Sequence, residues 1–327
     1  MAKTVDWESR IGRRLRLRDL HIFFAVVQSG SMAKAATRLR VTQPAVSKAI
    51  SDLEAALGVR LFDRSTQGVE PTMYGSALLK CGAAVFDELR QGIRNIEFLA
   101  DPAAGELKIG CPESVAAFLS SIIESFSRQY PRVVLDVQDV NSPTSALKLR
   151  DRSLDIVLAR LRALPNEQAL EDMTVETLLD DELVVAAGTG SRWARRRKID
   201  LAELLNERWI LTAPDAWNQK HLAEAFQSLG LDLPQISLRT FSVHLRTNLL
   251  ATGSFITVLP RSVLRLDANL HLLKALPAKL PGLHWPIAIV TLKNRTLSPV
   301  VERFIECARG VAKSLSTQRV LSEANSE

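Results

Sequence analysis

The chain has 327 residues, with 42 Lys and Arg against 36 Asp and Glu, a formal net charge of +6. That length suits two or three domains with sizeable cores, and no stretch approaches the roughly 20 apolar residues of a membrane span. The three cysteines, Cys81, Cys111 and Cys307, are far apart and no His stands at ligand spacing to them, which argues against a disulfide framework or a zinc site. They read as small buried hydrophobes. Residues 1–18 lack the apolar core of a signal peptide, so a cytoplasmic location is expected. No cofactor and no metal is called for.

The charge is local. Residues 1–100 hold 15 Lys and Arg against 10 Asp and Glu, and the remaining 227 hold 27 against 26. A basic N-terminal part on a nearly neutral body suits attraction to phosphate by one domain, with salt-sensitive binding. Arg10, Arg13, Arg14, Arg16 and Arg18 are either an arm that touches phosphate or a solvated tail.

Leu20, Phe23, Phe24 and Val27 recur at helical spacing and place one apolar stripe on a first helix, which Ser29-Gly30 ends. Ser31 can cap a second helix through Met32 to Leu39, where Ala35 and Ala36 permit close packing. After a turn at Arg40-Val41, Thr42 can cap a third helix. Pro44 is acceptable there because its missing N–H falls in the first turn. Val46, Ile50, Leu53 and Leu57 form the buried stripe of that helix. Gln43, Ser47 and Ser51 recur every four residues on the opposite face, with Lys48 alongside. Such side chains bond base edges or phosphate in a major groove, although the same pattern also fits an ordinary three-helix core with a solvated face. Val59 to Arg64 reads as a strand, Thr66-Gln67-Gly68 as a turn and Val69-Glu70 as a return strand. Arg64 would meet the phosphate backbone on this wing.

These residues resemble the LysR-type transcriptional regulators. The resemblance runs through Leu20, Phe23, Gly30-Ser31, Ala35-Ala36, Leu39, Thr42-Gln43-Pro44-Ala45-Val46-Ser47, Ile50, Leu53-Glu54, Leu57-Gly58, Leu61-Phe62, Arg64, Thr72 and Gly75. Pro71 and Met73-Tyr74 depart from the family pattern. The expected DNA-binding residues are Ser31, Thr42, Gln43, Pro44, Ser47, Lys48, Ser51 and Arg64.

Thr72 can cap a further helix to about Ala100, on which Leu78, Val85, Leu89, Ile93, Ile96 and Ala100 approximate a heptad seam. The seam fits a partner helix or the chain's own body. The resemblance implies the former, with two heads meeting two half-sites of a two-fold operator in double-stranded DNA. It implies a homodimer or homotetramer, with RNA polymerase as a further partner and no membrane. Asp101-Pro102-Ala103-Ala104-Gly105 marks the linker.

From Glu106 onward strands and helices alternate. Leu107–Gly110, Val133–Val137 and Leu154–Ala159 read as strands separated by helices at Ser114–Tyr130 and Ser145–Arg152, an order that implies a parallel sheet. Later strands are expected at Glu182–Ala187, Trp209–Thr212, Phe255–Leu259 and Pro286–Leu292, with a last helix at Pro299–Ser314. The fold class is therefore an α/β body with an N-terminal winged helix-turn-helix and a long linker helix. The resemblance makes that body two periplasmic-binding-protein-like α/β subdomains enclosing a small-molecule effector. The expected domains are 1–72 for the DNA-binding head, 73–104 for the dimerising helix and hinge, and 105–327 for effector binding. The last divides into subdomain I (about 105–177 and 275–314) and subdomain II (about 178–274), with crossings near Val175–Asp181 and Leu272–Pro277.

Open α/β sheets bind ligands beyond the carboxyl ends of their strands. Applied here, that rule selects Cys111, Pro112, Glu113, Ser114, Asn141, Ser142, Thr144 and Arg160 from one subdomain. From the other it selects Thr212, Ala213, Pro214, Ser242 and Val258. Of these, Ser114, Ser142, Arg160 and Pro214 resemble family cleft positions. The serines can equally be helix N-caps, and Arg160 can pair with an acid such as Glu113. Because Glu113 repels a carboxylate, a sugar or hydroxy acid fits as well as an aromatic acid. The run Arg195-Arg196-Arg197-Lys198 reads as solvated surface rather than a second nucleic-acid site. Cys111 has no resolving thiol nearby to make it a redox sensor.

No nucleotide-binding glycine loop, serine elbow or His-Glu-x-x-His is present, and the five histidines are scattered. The chain is thus read as a regulator and not an enzyme. The alternatives are an effector-independent DNA-architectural protein, which leaves the body unexplained, or an enzyme with a DNA-binding head.

Overall fold

The structure, a computed structural model, describes residues 15–65, 68–140, 142–160, 170–213, 217–266 and 270–324. Two compact units divide the chain, Met1–Arg90 and Gln91–Glu327. The first begins with helices α1 (Leu17–Ser29), α2 (Met32–Leu39) and α3 (Gln43–Leu57). Phe23 and Val26 of α1, Ala35 of α2, and Val46 and Ile50 of α3 are fully buried in one core. Phe24, Val27 and Leu57 are only partly buried, so the sealed face of α1 is shifted toward Ile22 and Val26.

Gly30 and Gly58 end α1 and α3 in the left-handed region, at φ 61° and 71°. Arg40 does the same for α2 at φ 55°, where a side chain costs about 1–2 kcal/mol. The cost is offset by Arg40 and Val41 N–H groups donating to the carbonyls of Thr37 and Ala36. Ser31 and Thr42 occupy the N-cap positions expected of them, but neither side chain makes a capping bond. At Thr42 the reason is local: Pro44 has no N–H to give, and the Ala45 N–H donates to the Thr42 backbone carbonyl.

The wing is β1 (Phe62–Ser65) paired antiparallel with β2 (Gly68–Pro71). It begins later than the expected Val59, because the Glu54 carboxylate of α3 accepts the Leu61 N–H at 2.8 Å and the Phe62 N–H at 3.4 Å. Thr72 then caps α4 (Met73–Ala100), accepting the Gly75 N–H at 3.1 Å while its hydroxyl donates to the Arg60 carbonyl. Gly75 is required at this joint, since a Cβ there would stand 2.2 Å from the Leu61 carbonyl oxygen.

The second unit carries two five-stranded sheets. Lobe I uses β3 (Ala104–Cys111), β4 (Arg132–Asp139), β5 (Ile156–Arg160), β6 (Met173–Leu179) and β12 (Ile287–Leu292), in the order β4-β3-β5-β12-β6. Its helices are α5 (Ala116–Gln129), α6 (Ser142–Arg150) and α10 (Pro299–Ala324). Lobe II uses β7 (Leu183–Gly188), β8 (Trp209–Leu211), β9 (Ile236–Arg239), β10 (Ile256–Pro260) and β11 (Leu273–Ala275), in the order β11-β7-β10-β8-β9. Helices α7 (Trp217–Gln227), α8 (Val243–Ala251) and α9 (Arg261–Leu266) belong to this lobe. Phe118, Phe126 and Phe304 fill the first core, and Trp209, Phe226 and Trp285 the second.

Two expectations change. The sheets are mixed rather than parallel, because β12 runs antiparallel to β5 and β6, and β7 antiparallel to β10 and β11. A chain that leaves a lobe and returns from the other one need not make a right-handed helical crossover, so its returning strand is free to pair in either sense. The second crossing is also displaced. β6 is a full strand of lobe I and β11 a full strand of lobe II, so the chain crosses at 180–182 and again near Trp285. Subdomain II therefore extends about ten residues beyond the expected boundary.

Gly75→Ala is expected to destabilise the protein by about 1–3 kcal/mol, the usual cost of forcing atoms into a filled site. Gly310→Ala, in α10 with nothing near its absent Cβ, is expected to be neutral or stabilising by up to about 1 kcal/mol. Urea denaturation of the two variants checks the contrast.

Candidate functional site

The recognition surface is the outer face of α3. Thr42, Gln43, Pro44, Lys48 and Ser51 are exposed and Ser47 is half-buried, because the stripe Val46, Ile50 and Leu53 points the opposite side of the helix inward. Among the described residues, Gln43, Ser47, Lys48 and Ser51 spend no side-chain hydrogen bond or ion pair on the protein. Ser31, at the N-terminus of α2, is half-buried.

Along α4 the apolar seam stays open. Val85, Leu89, Ile93, Ile96 and Leu99 are 42%, 45%, 56%, 68% and 81% exposed. Leu78 departs from the expected seam, since it packs against the head core. Lower on the helix, Arg94 pairs with Asp155 at 3.3 Å, and Phe98 packs against the core of lobe I.

Between the lobes lies a cavity of about 400 Å³. Of the expected residues, Pro112, Glu113, Ser114, Thr144, Arg160, Thr212 and Val258 line it. Cys111 is instead buried beneath, and Ser242 stands at the N-cap of α8, where it accepts the Leu245 N–H. Asn141 and Pro214, with the side chains of Ser142 and Arg64, lie outside the described residues. Sequence reasoning missed Asp139, Phe241, Arg246 and Trp285. Asp139 does end a strand and was open to the same rule. Arg246 and Trp285 reach the cavity from inside α8 and from the second crossing, which no strand-end rule marks.

Arg160 does not pair with Glu113. It is 2% exposed, and its Nη1 donates to Asp181 at 2.9 Å and to the Trp285 carbonyl at 3.1 Å, while Nη2 donates to the Ser114 carbonyl at 2.9 Å. Asp181 also accepts the N–H groups of Glu182 and Ser262 and the Ser262 hydroxyl. Burial pulls the guanidinium below its ordinary range, and the Asp181 charge opposes that shift. This ion pair sits where both crossings meet.

Glu113 turns the other way. On the short 3-10 turn Glu113–Val115 of lobe I, it accepts the N–H groups of Val243 at 2.8 Å and His244 at 2.6 Å, at the start of α8 in lobe II. Arg246 is 7% exposed and donates to the carbonyls of Val258, Phe241 and Ser242. Burial lowers its pKa to about 10, against the Glu113 charge. The Cys111 thiol is pushed up to about 12 by burial first and then by Asp139, with Arg160 acting in the opposite sense. Among the described residues no group of His, Cys, Asp and Glu is placed to hold a metal, and no helix is long and apolar enough to cross a membrane. The run Arg195 to Lys198 is exposed on lobe II, with Arg196 paired to Glu203 and its guanidinium 5.7 Å from the Trp193 ring.

A winged three-helix head with an unspent polar face, carried on a chain whose body encloses a cavity between two α/β lobes, defines a ligand-responsive DNA-binding protein. The chain belongs to the LysR family of bacterial transcriptional regulators. Residues 17–76 match the model of the bacterial regulatory helix-turn-helix protein, lysR family, and residues 100–313 match that of the LysR substrate binding domain. The HTH-type transcriptional regulator TdcA of Escherichia coli K12 is 30% identical over 246 residues, 75% of this chain and 77% of its own. CysL of Bacillus subtilis is 28% identical, covering 85% of this chain and 93% of its own. Among solved structures, a full-length OxyR variant from Pseudomonas aeruginosa has the same fold, with a TM-score of 0.62 at 22% identity over 91% of this chain and 95% of that one. Full-length CbnR complexed with its target DNA matches at a TM-score of 0.52 and 21% identity, over 91% of this chain and all of that one.

Arg160→Ala leaves Asp181 buried without its counter-charge and is expected to cost about 3–5 kcal/mol in urea denaturation. For Cys111, the raised folded pKa means that the protonated thiol favours the fold, so this contribution to stability falls as pH rises from the ordinary 9.0 toward 12. Iodoacetamide at pH 8 is accordingly expected to spare Cys111 in the native protein and to label it in urea, as read by mass spectrometry.

Proposed function

We propose that this LysR-type regulator reads a two-fold operator through paired heads and that a small molecule bound between its lobes resets the pair. The observation that carries the reading is the face of α3, where Gln43, Ser47, Lys48 and Ser51 are directed outward with no partner among the described residues. Amides and hydroxyls at this spacing bond base edges in the major groove, and Lys48 supplies a phosphate contact. Thr42 and Ser31, whose hydroxyls make no cap, are available to phosphate, and the family resemblance alone adds Arg64. The open seam from Val85 to Leu99 takes the same helix of a second copy, giving a homodimer or a homotetramer, and DNA of two-fold character matches such a pair. RNA polymerase is the further partner through which occupancy of the operator reaches transcription, and the site of action is the cytoplasm.

The cavity is the effector site, lined by Glu113, Ser114, Thr144, Arg160, Thr212 and Val258, and the strand-end rule alone adds Cys111, Asn141, Ser142, Pro214 and Ser242 to the candidates. A sugar, a hydroxy acid and an aromatic acid, the classes the sequence leaves open, are each small enough for a cavity of about 400 Å³. Such a ligand changes DNA binding only to the extent that it binds one arrangement of the lobes better than another.

Gln43→Ala is expected to lose about 1–3 kcal/mol of discrimination between operator and random DNA in fluorescence anisotropy, with random-sequence affinity unchanged. Lys48→Ala is expected to weaken both equally and reduce the salt slope by about 1. Equal loss on both DNAs for Gln43→Ala removes that residue from base reading.

A further inference from the structure

One point of the cavity that attracts anions, the N-terminus of α8, is already filled by the chain itself. A helix N-terminus presents unpaired N–H groups and the positive end of its dipole. At α8 the Glu113 carboxylate takes two of those N–H groups, at 2.8 and 2.6 Å, and the Ser242 hydroxyl donates to it at 3.4 Å. The contact crosses the mouth of the cavity, from lobe I to lobe II. Arg246, buried beside it, spends its guanidinium on three backbone carbonyls. Arg160 is spent on Asp181. The charge left over in the lining is an acid, because Asp139 has no hydrogen bond or ion pair among the described residues.

We propose that Glu113 is a specificity-determining residue whose carboxylate fills the anion-accepting end of the ligand cavity, so that the cavity takes ligands without an anionic group and turns carboxylates away. This rests on the cavity being the effector site, and it narrows the ligand to an uncharged, hydroxyl-bearing or amine-bearing molecule with an apolar frame. A free carboxylate has to displace one that is covalently attached. Even on a flexible linker such a competitor acts at about 1 mM or more, and Glu113 stands on a short turn directly after β3. Removing the side chain leaves two free N–H groups at the start of α8 beside a buried guanidinium, which is a site for a carboxylate.

The test is chemical replacement of the missing side chain in the full-length protein. Acetate and its uncharged isostere acetamide are titrated at matched ionic strength against wild type, Glu113→Ala and Glu113→Gln, with the Tm as readout. Glu113→Ala is expected to melt lower than wild type and to regain Tm saturably with acetate but not acetamide, at a half-maximal concentration at least about tenfold below any effect on wild type. Glu113→Gln keeps the space filled and is expected to respond to neither. Glu113→Ser is carried alongside as a second vacated variant, and the Ser242 cap of α8 remains in both. An equal acetate response in wild type and the vacated variants, or no difference between acetate and acetamide in those variants, overturns the proposal. Operator binding of the same wild-type preparation is measured in parallel. Its loss counts against the regulator reading and leaves the acetate result to stand alone.

Discussion

The ion pair between Arg160 and Asp181 is the contact on which the body is organised. It lies where the chain passes from lobe I to lobe II and where it returns, and its partners come from β5, from both crossings and from α9. A buried pair of this kind gains little net stability over an apolar contact of the same shape, since desolvation consumes most of the Coulomb energy. What it does supply is direction. The planar guanidinium has to meet Asp181, the Trp285 carbonyl and the Ser114 carbonyl together, so the two crossings are held in register and the lobes are joined at a defined place.

Strand β5 carries that constraint onward. It is buried along its whole length and lies between β3 and β12. Arg160 ends it at the crossings. Just before its other end, Asp155 accepts from Arg94 of α4, from Arg295 and from the Lys108 N–H. Arg160 thus ends a strand whose opposite end is held to the linker helix by a charged contact. A packed strand of this kind is stiff.

Against this rigid centre, the contacts of Glu113 are of another kind. Its half-exposed side chain bridges the lobes at the mouth, where a helix N-terminus draws a carboxylate and water competes for it. The Arg160–Asp181 ion pair is sealed, whereas Glu113 is half-exposed. On the head the same division holds between the sealed inner stripe of α3 and its outward polar face.

Much of this was legible in the chain itself. Helical spacing of Leu20, Phe23, Val46, Ile50 and Leu53 determined the head, because one buried stripe per helix is a local property of sequence, and the turn at Arg40 and the glycines at 30, 58 and 75 punctuated it. The ends of β3, β4 and β5 marked the loops that surround the cavity. What the sequence could not decide was which charges meet. Glu113 follows β3 and Arg160 ends β5 in the same lobe, which invites pairing, yet Asp181 stands 21 residues on from Arg160 and Val243 130 residues on from Glu113. Pairing over such separations depends on where the chain crosses between lobes and on the sense of its returning strands. Neither leaves a periodic signal, so only the tertiary structure assigned Arg160 to the hinge and Glu113 to the mouth.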